Sequence, residues 1–357
     1  MKRRALLLGL LLMPAGAHAH SRKPIRPRRP IAAKQPTKQP PKPPVRPKAA
    51  AASRPAAKPA ASQAKTELVA FNASPFPYHG YLPDSRKPFL DARNGKRRGH
   101  TSLRGTVYWE DQTYSDRRSL LYLPEGFDAK KPALIVLYLH GQGATLERDV
   151  IARQGVTRQL ADSGLNAALV APQLALDAAD SSAGNFWKPG HFATYVDEAA
   201  ERLMRLYGDR AAGRTFNLAP VIVVAYSGGY LSAAYALNRG GAGHRVKGVI
   251  LLDALYGDED KFAGWAAARR RQAFLLSAYT ESTRSENAAL QDLLAKRRVP
   301  VSRNLPSSLG AGTFAFVACG GLDMHGEFVT RAWRPDPLRH ALAMIPGYAK
   351  DRDRKGT

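Results

Sequence analysis

Six short, predominantly apolar runs constrain what this chain can fold into more than any other feature of its sequence. None of them contains a charged residue, and none is longer than seven residues. Runs of this kind are typical of strands that are buried on both faces of a parallel sheet. They span residues 133–139, 167–172, 221–225, 249–252, 273–278 and 313–318.

Segments with the periodicity of amphipathic helices lie between these runs. In residues 196–206, apolar side chains recur at intervals of three and four residues, with charged residues between them. Leu290, Leu293 and Leu294 repeat the pattern before Pro300 ends it. Strands that alternate with helices imply right-handed crossovers. We therefore predict an α/β protein with a doubly wound, mostly parallel sheet.

The residues ahead of the first run predict two more strands, at 106–110 and 119–123. We expect them to form an opening hairpin across the turn-rich segment 111–118, which gives a sheet of about eight strands. Residues 66–98 are rich in Pro, Tyr and Phe and show no clear period. We expect them to wrap the edge of a single domain that spans residues 66–357.

The positive charge of the chain is concentrated at its N-terminus. The 357 residues carry a formal net charge of +25, and residues 1–65 hold 16 basic residues and no acidic one. The remaining 292 residues have 38 basic and 29 acidic residues, a net charge of +9. Specific nucleic-acid binding would require a basic excess on a folded face or recognition helix, so we do not predict it.

Residues 1–19 have the parts of a secretory signal peptide. A basic start at residues 2–4 precedes the apolar run 5–13, and Ala17-His18-Ala19 supplies a cleavage site. The apolar run is too short to cross a bilayer as a stable helix. We predict cleavage after about Ala19, with an exported protein that is periplasmic or secreted and has no transmembrane span. Arg3-Arg4 leaves the general and the twin-arginine export routes both open.

Residues 20–65 contain 11 prolines and 13 Lys or Arg residues. Proline fixes the backbone, like charges repel, and no apolar period exists to build a core. We predict a disordered, extended linker. Its charge favours a weak electrostatic contact with the anionic polymers or headgroups of a cell envelope.

The side chains able to perform chemistry follow the apolar runs directly. In a doubly wound sheet, functional groups gather just beyond the carboxyl ends of the strands. Ser227 follows the run 221–225, and Asp253 follows 249–252. Glu281 and His325 come shortly after 273–278 and 313–318.

Ser227 lies in the sequence Ala225-Tyr226-Ser227-Gly228-Gly229. A nucleophile on a tight turn from strand to helix requires small residues two positions before and two positions after it. Here the sequence resembles the α/β-hydrolase superfamily, with Ala225 in place of the first glycine of the usual G-x-S-x-G. The resemblance covers about residues 102–346 and implies the α/β-hydrolase fold with Ser227 as a catalytic nucleophile.

The resemblance also assigns roles to residues outside this turn. His140-Gly141-Gln142-Gly143 follows the run 133–139, where the superfamily places a loop that supplies an oxyanion-hole N–H, here from Gln142 or Gly141. The N–H of Gly228 is the other expected donor. His325 stands where the superfamily has its catalytic base. His140 itself is expected to be structural.

Two carboxylates compete for the role of the acid that orients the base. Superfamily members usually place it where Glu281 stands, and some place it one strand earlier, at Asp253. A carboxylate at the end of an unbroken apolar strand is costly without a partner, which favours Asp253. Glu281 also fits an exposed residue that precedes a helix.

Aromatic residues near the strand ends are candidates for an apolar acyl pocket. They are Phe186, Trp187, Tyr226, Tyr230, Tyr256 and Trp265. The chain has no metal-binding spacing such as HExxH and no GxGxxG or Walker sequence, so we infer no cofactor.

These features predict an exported serine hydrolase that cleaves a small-molecule or polymeric carboxylic ester. The same residues also fit a peptidase, an amidase or an acyltransferase. A non-catalytic envelope-binding protein that keeps a hydrolase fold is the alternative from another class.

Overall fold

The computed structural model describes residues 63–350. The predicted signal peptide, and the predicted linker up to residue 62, lie outside the described residues. Lys65, the last residue of that linker, already belongs to the first strand. The strands are β1 (Lys65–Ala70), β2 (Ala92–Asn94), β3 (Arg97–Thr101), β4 (Val107–Trp109), β5 (Arg118–Leu123), β6 (Leu134–Leu139), β7 (Ala167–Pro172), β8 (Val221–Tyr226), β9 (Val246–Leu252), β10 (Phe274–Tyr279) and β11 (Phe314–Ala318).

In the described part of the chain, eight α-helices and several shorter turns lie between or after these strands. The helices are α1 (Glu110–Thr113), α2 (Val156–Asp162), α3 (His191–Tyr207), α4 (Gly213–Leu218), α5 (Tyr230–Arg239), α6 (Glu259–Arg269), α7 (Arg284–Lys296) and α8 (Pro337–Ala343). A π-helix spans Leu146–Arg153, and short 3₁₀ turns include Ser227–Gly229 and Leu322–Glu327. Within the described residues, no helix is both long enough and apolar enough to cross a membrane.

Eight strands form one mixed sheet, in the order β1-β5-β7-β6-β8-β9-β10-β11. β5 pairs antiparallel with both of its neighbours, and the other five pairings are parallel. Each of the six predicted apolar runs is one of the parallel strands, and β6, β7 and β8 are buried along their whole length. The predicted fold class, a doubly wound and mostly parallel sheet of about eight strands, is confirmed.

The two faces of this sheet bury separate apolar clusters. Along β6, Ile135 and Leu137 pack on one face, while Leu134 and Val136 pack on the other. Side chains from α3, α5, α6 and α7 cover the first face, and those from the π-helix, α2 and α8 cover the second. Because helices lie on both faces, the strand ends are the open edges at which a site can form.

The expectations for the N-terminal part of the domain were partly wrong. β4 pairs with β3 in a separate sheet of three antiparallel strands, β2-β3-β4, so the predicted hairpin of 106–110 with 119–123 does not form. The second strand of that pair, β5, lies between β1 and β7 instead. Residues 66–98 include β1, an edge strand of the large sheet, because Leu68 and Val69 pack against the apolar clusters on its two faces.

Candidate active site

Ser227 occupies a sharp turn between β8 and α5. Its φ is +49°, in the left-handed region that a residue with a side chain rarely adopts. The small neighbours predicted from the sequence make this turn possible: Ala225 is fully buried, and a Cβ on Gly229 would lie 2.3 Å from the Leu139 carbonyl oxygen. A strained serine at the end of a central strand is the geometry of a nucleophile elbow.

His325 reaches this serine from the end of β11, the edge strand three positions along the sheet from β8. It lies in the 3₁₀ turn Leu322–Glu327, just after β11. Its Nε2 is 2.9 Å from the Ser227 Oγ, a hydrogen-bonding distance. With Nε2 as acceptor, the imidazole is placed to take the proton of the serine hydroxyl.

Asp253 completes a relay of three side chains. It follows β9 directly, with a φ of +45°, and it is fully buried. Its Oδ2 accepts a hydrogen bond from the His325 Nδ1 at 2.6 Å. That bond fixes the imidazole tautomer that leaves Nε2 free to accept from Ser227.

Hydrogen bonds from the start of the next loop keep Asp253 ionised. Its carboxylate accepts from the Thr280 N–H and hydroxyl at 2.9 and 2.8 Å, and from the Ser282 and Thr283 hydroxyls at 2.9 and 2.8 Å. Burial alone would raise the pKa of Asp253. The hydrogen bonds from His325, Thr280 and Thr283 outweigh burial and lower that pKa to about 2.

Glu281, the competing carboxylate, is not brought to His325. It forms an ion pair with Arg284, and its side chain is 46% exposed. It occupies the first turn after Thr280, where it leads into α7. The structure therefore brings together Ser227, His325 and Asp253, and it places Glu281 on the surface.

The two predicted oxyanion donors lie side by side next to Ser227. A Cβ on Gly228 would be 3.3 Å from the Gln142 backbone nitrogen, and both residues line the same cavity. Within residues 63–350, neither backbone N–H donates to a protein acceptor. Gly228 also lies in the turn that leads into α5, whose N-terminus favours negative charge. The site can therefore hold an oxyanion between two N–H groups.

His140 fixes the loop that carries Gln142. Its Nε2 accepts hydrogen bonds from the Leu174 N–H at 2.9 Å and from the Gln173 side chain at 3.0 Å. Burial lowers the pKa of His140 to about 4, so the ring is neutral. Its contacts are those of the structural residue expected from the sequence.

A cavity of about 730 Å³ opens over Ser227 and His325. One wall comes from the N-terminal segments 82–85 and 100–104, which the sequence did not indicate as part of a site. Of the predicted pocket aromatics, Trp187, Tyr230 and Tyr256 line this cavity. Phe186, Tyr226 and Trp265 are buried and do not line it.

Two tyrosines contact His325 in ways that the sequence did not reveal. The Tyr226 hydroxyl donates to the His325 carbonyl oxygen at 2.8 Å, and its ring stacks on the imidazole at a centroid distance of 5.5 Å. The Tyr256 hydroxyl lies 3.2 Å from the His325 Nδ1 and 3.1 Å from the Ser282 Oγ. Both tyrosines were singled out from the sequence only as pocket candidates, since no local pattern reports a contact with a residue so distant in the chain.

The order of the strands and the turn at Ser227 decide the fold. Numbered within the large sheet alone, the strands run 1-2-4-3-5-6-7-8, with the serine elbow after the fifth strand. The serine, acid and histidine then follow in that order along the chain, each beyond a strand. The chain has the α/β-hydrolase fold. Among the described residues, no group of three or more His, Cys, Asp or Glu side chains is placed to hold a metal ion.

Comparison with known proteins yields structural likeness only. No protein-family model and no curated protein sequence matches the chain. It is similar to a feruloyl esterase module from Clostridium thermocellum, at 14% identity and a TM-score of 0.42, over 76% of this chain and 97% of that one. It is also similar to an S-formylglutathione hydrolase from Agrobacterium tumefaciens, at 12% identity and a TM-score of 0.37, over 71% and 98% of the two chains. A thermostable esterase from Pseudomonas putida matches at 15% identity and a TM-score of 0.37, over 71% and 81%.

Proposed function

We propose that this protein is a serine hydrolase that cleaves a carboxylic ester through an acyl-enzyme on Ser227. The observation that carries the proposal is the continuous relay from the Ser227 Oγ through His325 to the buried Asp253, with distances of 2.9 and 2.6 Å. An activated serine needs a base within hydrogen-bond reach and a third group that orients the base. Both requirements are met: Ser227 and His325 line one cavity, and the buried Asp253 accepts the hydrogen bond of the His325 Nδ1.

In the first half of the reaction, the His325 Nε2 takes the proton from Ser227 as its oxygen attacks the ester carbonyl. The backbone N–H groups of Gly228 and Gln142 donate to the oxyanion that develops. Asp253 stays ionised and stabilises the imidazolium. His325 then gives its proton to the leaving alcohol, and the acyl group remains on Ser227.

In the second half, water takes the place of the alcohol. His325 accepts a proton from the water, which attacks the acyl-enzyme, and then returns the proton to Ser227 as the acid product leaves. The cavity of about 730 Å³ is within the size range of sites for small molecules. We further propose that the protein is exported, on the signal-peptide pattern of residues 1–19.

The proposal predicts turnover of a simple ester. Purified protein is incubated with a nitrophenyl ester and with the nitroanilide of the same acyl group. We expect saturable hydrolysis of the ester at a rate above that of the amide, because nitrophenolate is a much weaker base than the nitroanilide anion and can leave without a proton from His325. Ser227→Ala should abolish this turnover, while Ser232→Ala should keep it. Ser232 lies on α5, contributes nothing to the cavity lining and has no hydrogen-bond partner among the described residues, so it is a matched control.

Other outcomes would redirect or contradict the proposal. Equal or faster cleavage of the anilide would indicate an amidase or peptidase. A product formed only when an acceptor alcohol is added would indicate an acyltransferase. Ester turnover that Ser227→Ala leaves unchanged would contradict the proposed nucleophile.

A further inference from the structure

The turn that carries His325 lies outside the hydrophobic core, which the chain leaves after Cys319 and rejoins at Phe328. None of the six residues of the turn Leu322–Glu327 is buried, and the Leu322 side chain is largely exposed. The Phe328 N–H, just after the turn, donates to the His325 carbonyl oxygen, and the Met324 N–H donates to the Gly321 carbonyl oxygen. A base carried on such a segment needs other contacts to keep Nε2 in line with Ser227.

Two side chains from distant parts of the chain supply such contacts. The Tyr226 hydroxyl donates to the His325 carbonyl oxygen at 2.8 Å. The Arg153 Nη1 donates to the next carbonyl, that of Gly326, at 3.2 Å. Tyr226 is 6% exposed, and it directly precedes Ser227 in the chain. The end of β8 therefore helps to position both the base, His325, and the nucleophile, Ser227.

Arg153 is itself held by the segment that follows the Gln142 loop. Its Nε donates to the Asp149 Oδ1 at 2.8 Å. The Asp149 side chain is almost completely buried, and it also accepts from the Thr145 N–H at 2.8 Å and from the Arg148 Nε at 2.9 Å. These residues form the π-helix Leu146–Arg153 and its N-cap, which follow the Gln142 loop. The buried carboxylate of Asp149, acting through Arg153, therefore connects the segment after the Gln142 loop with the loop that carries His325.

We propose that Tyr226 and Arg153 are positioning residues for His325. They hold two successive carbonyls of its loop, so that the imidazole stays within proton-transfer distance of Ser227. This inference rests on the proposed function. Neither residue hydrogen-bonds to the Ser227 Oγ or to the His325 Nε2, and each acts through the placement of His325. A displacement of about 1 Å in a catalytic group can lower a rate roughly 100-fold, so such contacts have a kinetic consequence.

Tyr226→Phe tests the first contact, because it removes the hydroxyl and keeps the ring that stacks on His325. We expect kcat for the ester to fall by roughly tenfold or more, with KM within about twofold of the wild type, since substrate binding is untouched. Tyr138→Phe is the matched control. Its hydroxyl is also buried, on the neighbouring strand β6, and donates to the Gln154 side chain at 2.8 Å, away from the relay. Similar falls in Tm but a loss of kcat only in Tyr226→Phe would separate positioning from general stability.

Arg153→Met tests the second contact, with Arg158→Met as its control. Arg158 forms ion pairs with Asp336 and Asp162 on the same side of the molecule but does not contact the His325 loop. We expect kcat to fall in Arg153→Met, to recover in part in Arg153→Lys, and to be unchanged in Arg158→Met. Equal kcat in Tyr226→Phe and Tyr138→Phe, together with equal kcat in the two arginine variants, would overturn the inference.

Amide hydrogen exchange of residues 320–330 gives a readout that does not depend on turnover. We expect faster exchange in Tyr226→Phe and Arg153→Met than in the wild type and in both controls. Unchanged exchange in this segment would also overturn the inference. Faster exchange in a protein that hydrolyses no ester would instead keep the structural contacts and reject the proposed function.

Discussion

Replacing Ser227 by alanine is expected to lower kcat for the ester substrate by about 10⁶-fold, and His325→Ala is expected to cost about as much. The two side chains act as one unit, because the hydroxyl is a poor nucleophile unless the imidazole 2.9 Å away takes its proton. The variant that carries both substitutions should therefore be no slower than either single variant. Steady-state kinetics of the three variants, with Ser232→Ala as the control, make this comparison.

The variant that lacks both Ser227 and His325 should still accelerate ester hydrolysis. The N–H groups of Gly228 and Gln142 remain in place, so the double variant is expected to hydrolyse the ester about 10³-fold faster than the uncatalysed reaction in water. Losses that multiply across the two substitutions would show that Ser227 and His325 work independently. That result would contradict the relay on which the mechanism depends.

Asp253→Asn is expected to lower kcat by about 10⁴-fold, while Glu281→Gln should leave it nearly unchanged. The amide of asparagine would present a donor to the His325 Nδ1, which favours the wrong imidazole tautomer. Glu281 only pairs with Arg284 at the surface, and exposed pairs of this kind contribute little. The opposite kinetic result would assign the role of the acid to Glu281.

Asp253→Asn should also have a pH-dependent effect on the stability of the protein. The pKa of Asp253 is lowered from its usual 3.8 to about 2 on folding, so its ionised form stabilises the native state above pH 4. This contribution is lost as the pH falls from about 4 towards 2. The difference in Tm between wild type and Asp253→Asn should therefore be larger at pH 7 than at pH 3.

The central strands of the fold could be predicted from the sequence, because a strand that is buried on both faces is a continuous run of apolar residues. β6, β7 and β8 contain almost only apolar residues, so their runs are visible without any partner strand. The turn at Ser227 was visible for a related reason. Only small residues fit at positions 225 and 229, two before and two after Ser227, and a sequence shows residue size directly.

The N-terminal region could not be predicted in the same way. β1 is an edge strand whose side chains are all partly or fully exposed, and β2 and β4 are three residues long. Such strands carry no long apolar run, and their pairing partners are chosen by the tertiary fold. The strand predicted at 106–110 exists as β4, but its pairing with β3 could not be predicted. For the same reason, the sequence did not indicate that residues 82–85 and 100–104 form a wall of the cavity.

The sequence favoured Asp253 over Glu281 but did not decide between them. Both residues follow strand ends, and the two strands are neighbours in the sheet. Only the direction of the side chains separates them: Asp253 points into the polar cluster of Thr280, Ser282 and Thr283, and Glu281 points to solvent. The contact of the Tyr226 hydroxyl with the His325 backbone was hidden for the same reason, since it joins residues 99 positions apart.

Labelling with a fluorophosphonate probe tests the central claim, an activated serine at Ser227, most directly. The probe reacts covalently only with a nucleophilic serine, so it needs no knowledge of the substrate. We predict that the wild type and Ser232→Ala are labelled and that Ser227→Ala is not, with the adduct found by mass spectrometry on the peptide that contains Ser227. Equal labelling of the wild type and Ser227→Ala, or no labelling of folded wild-type protein, would contradict the account.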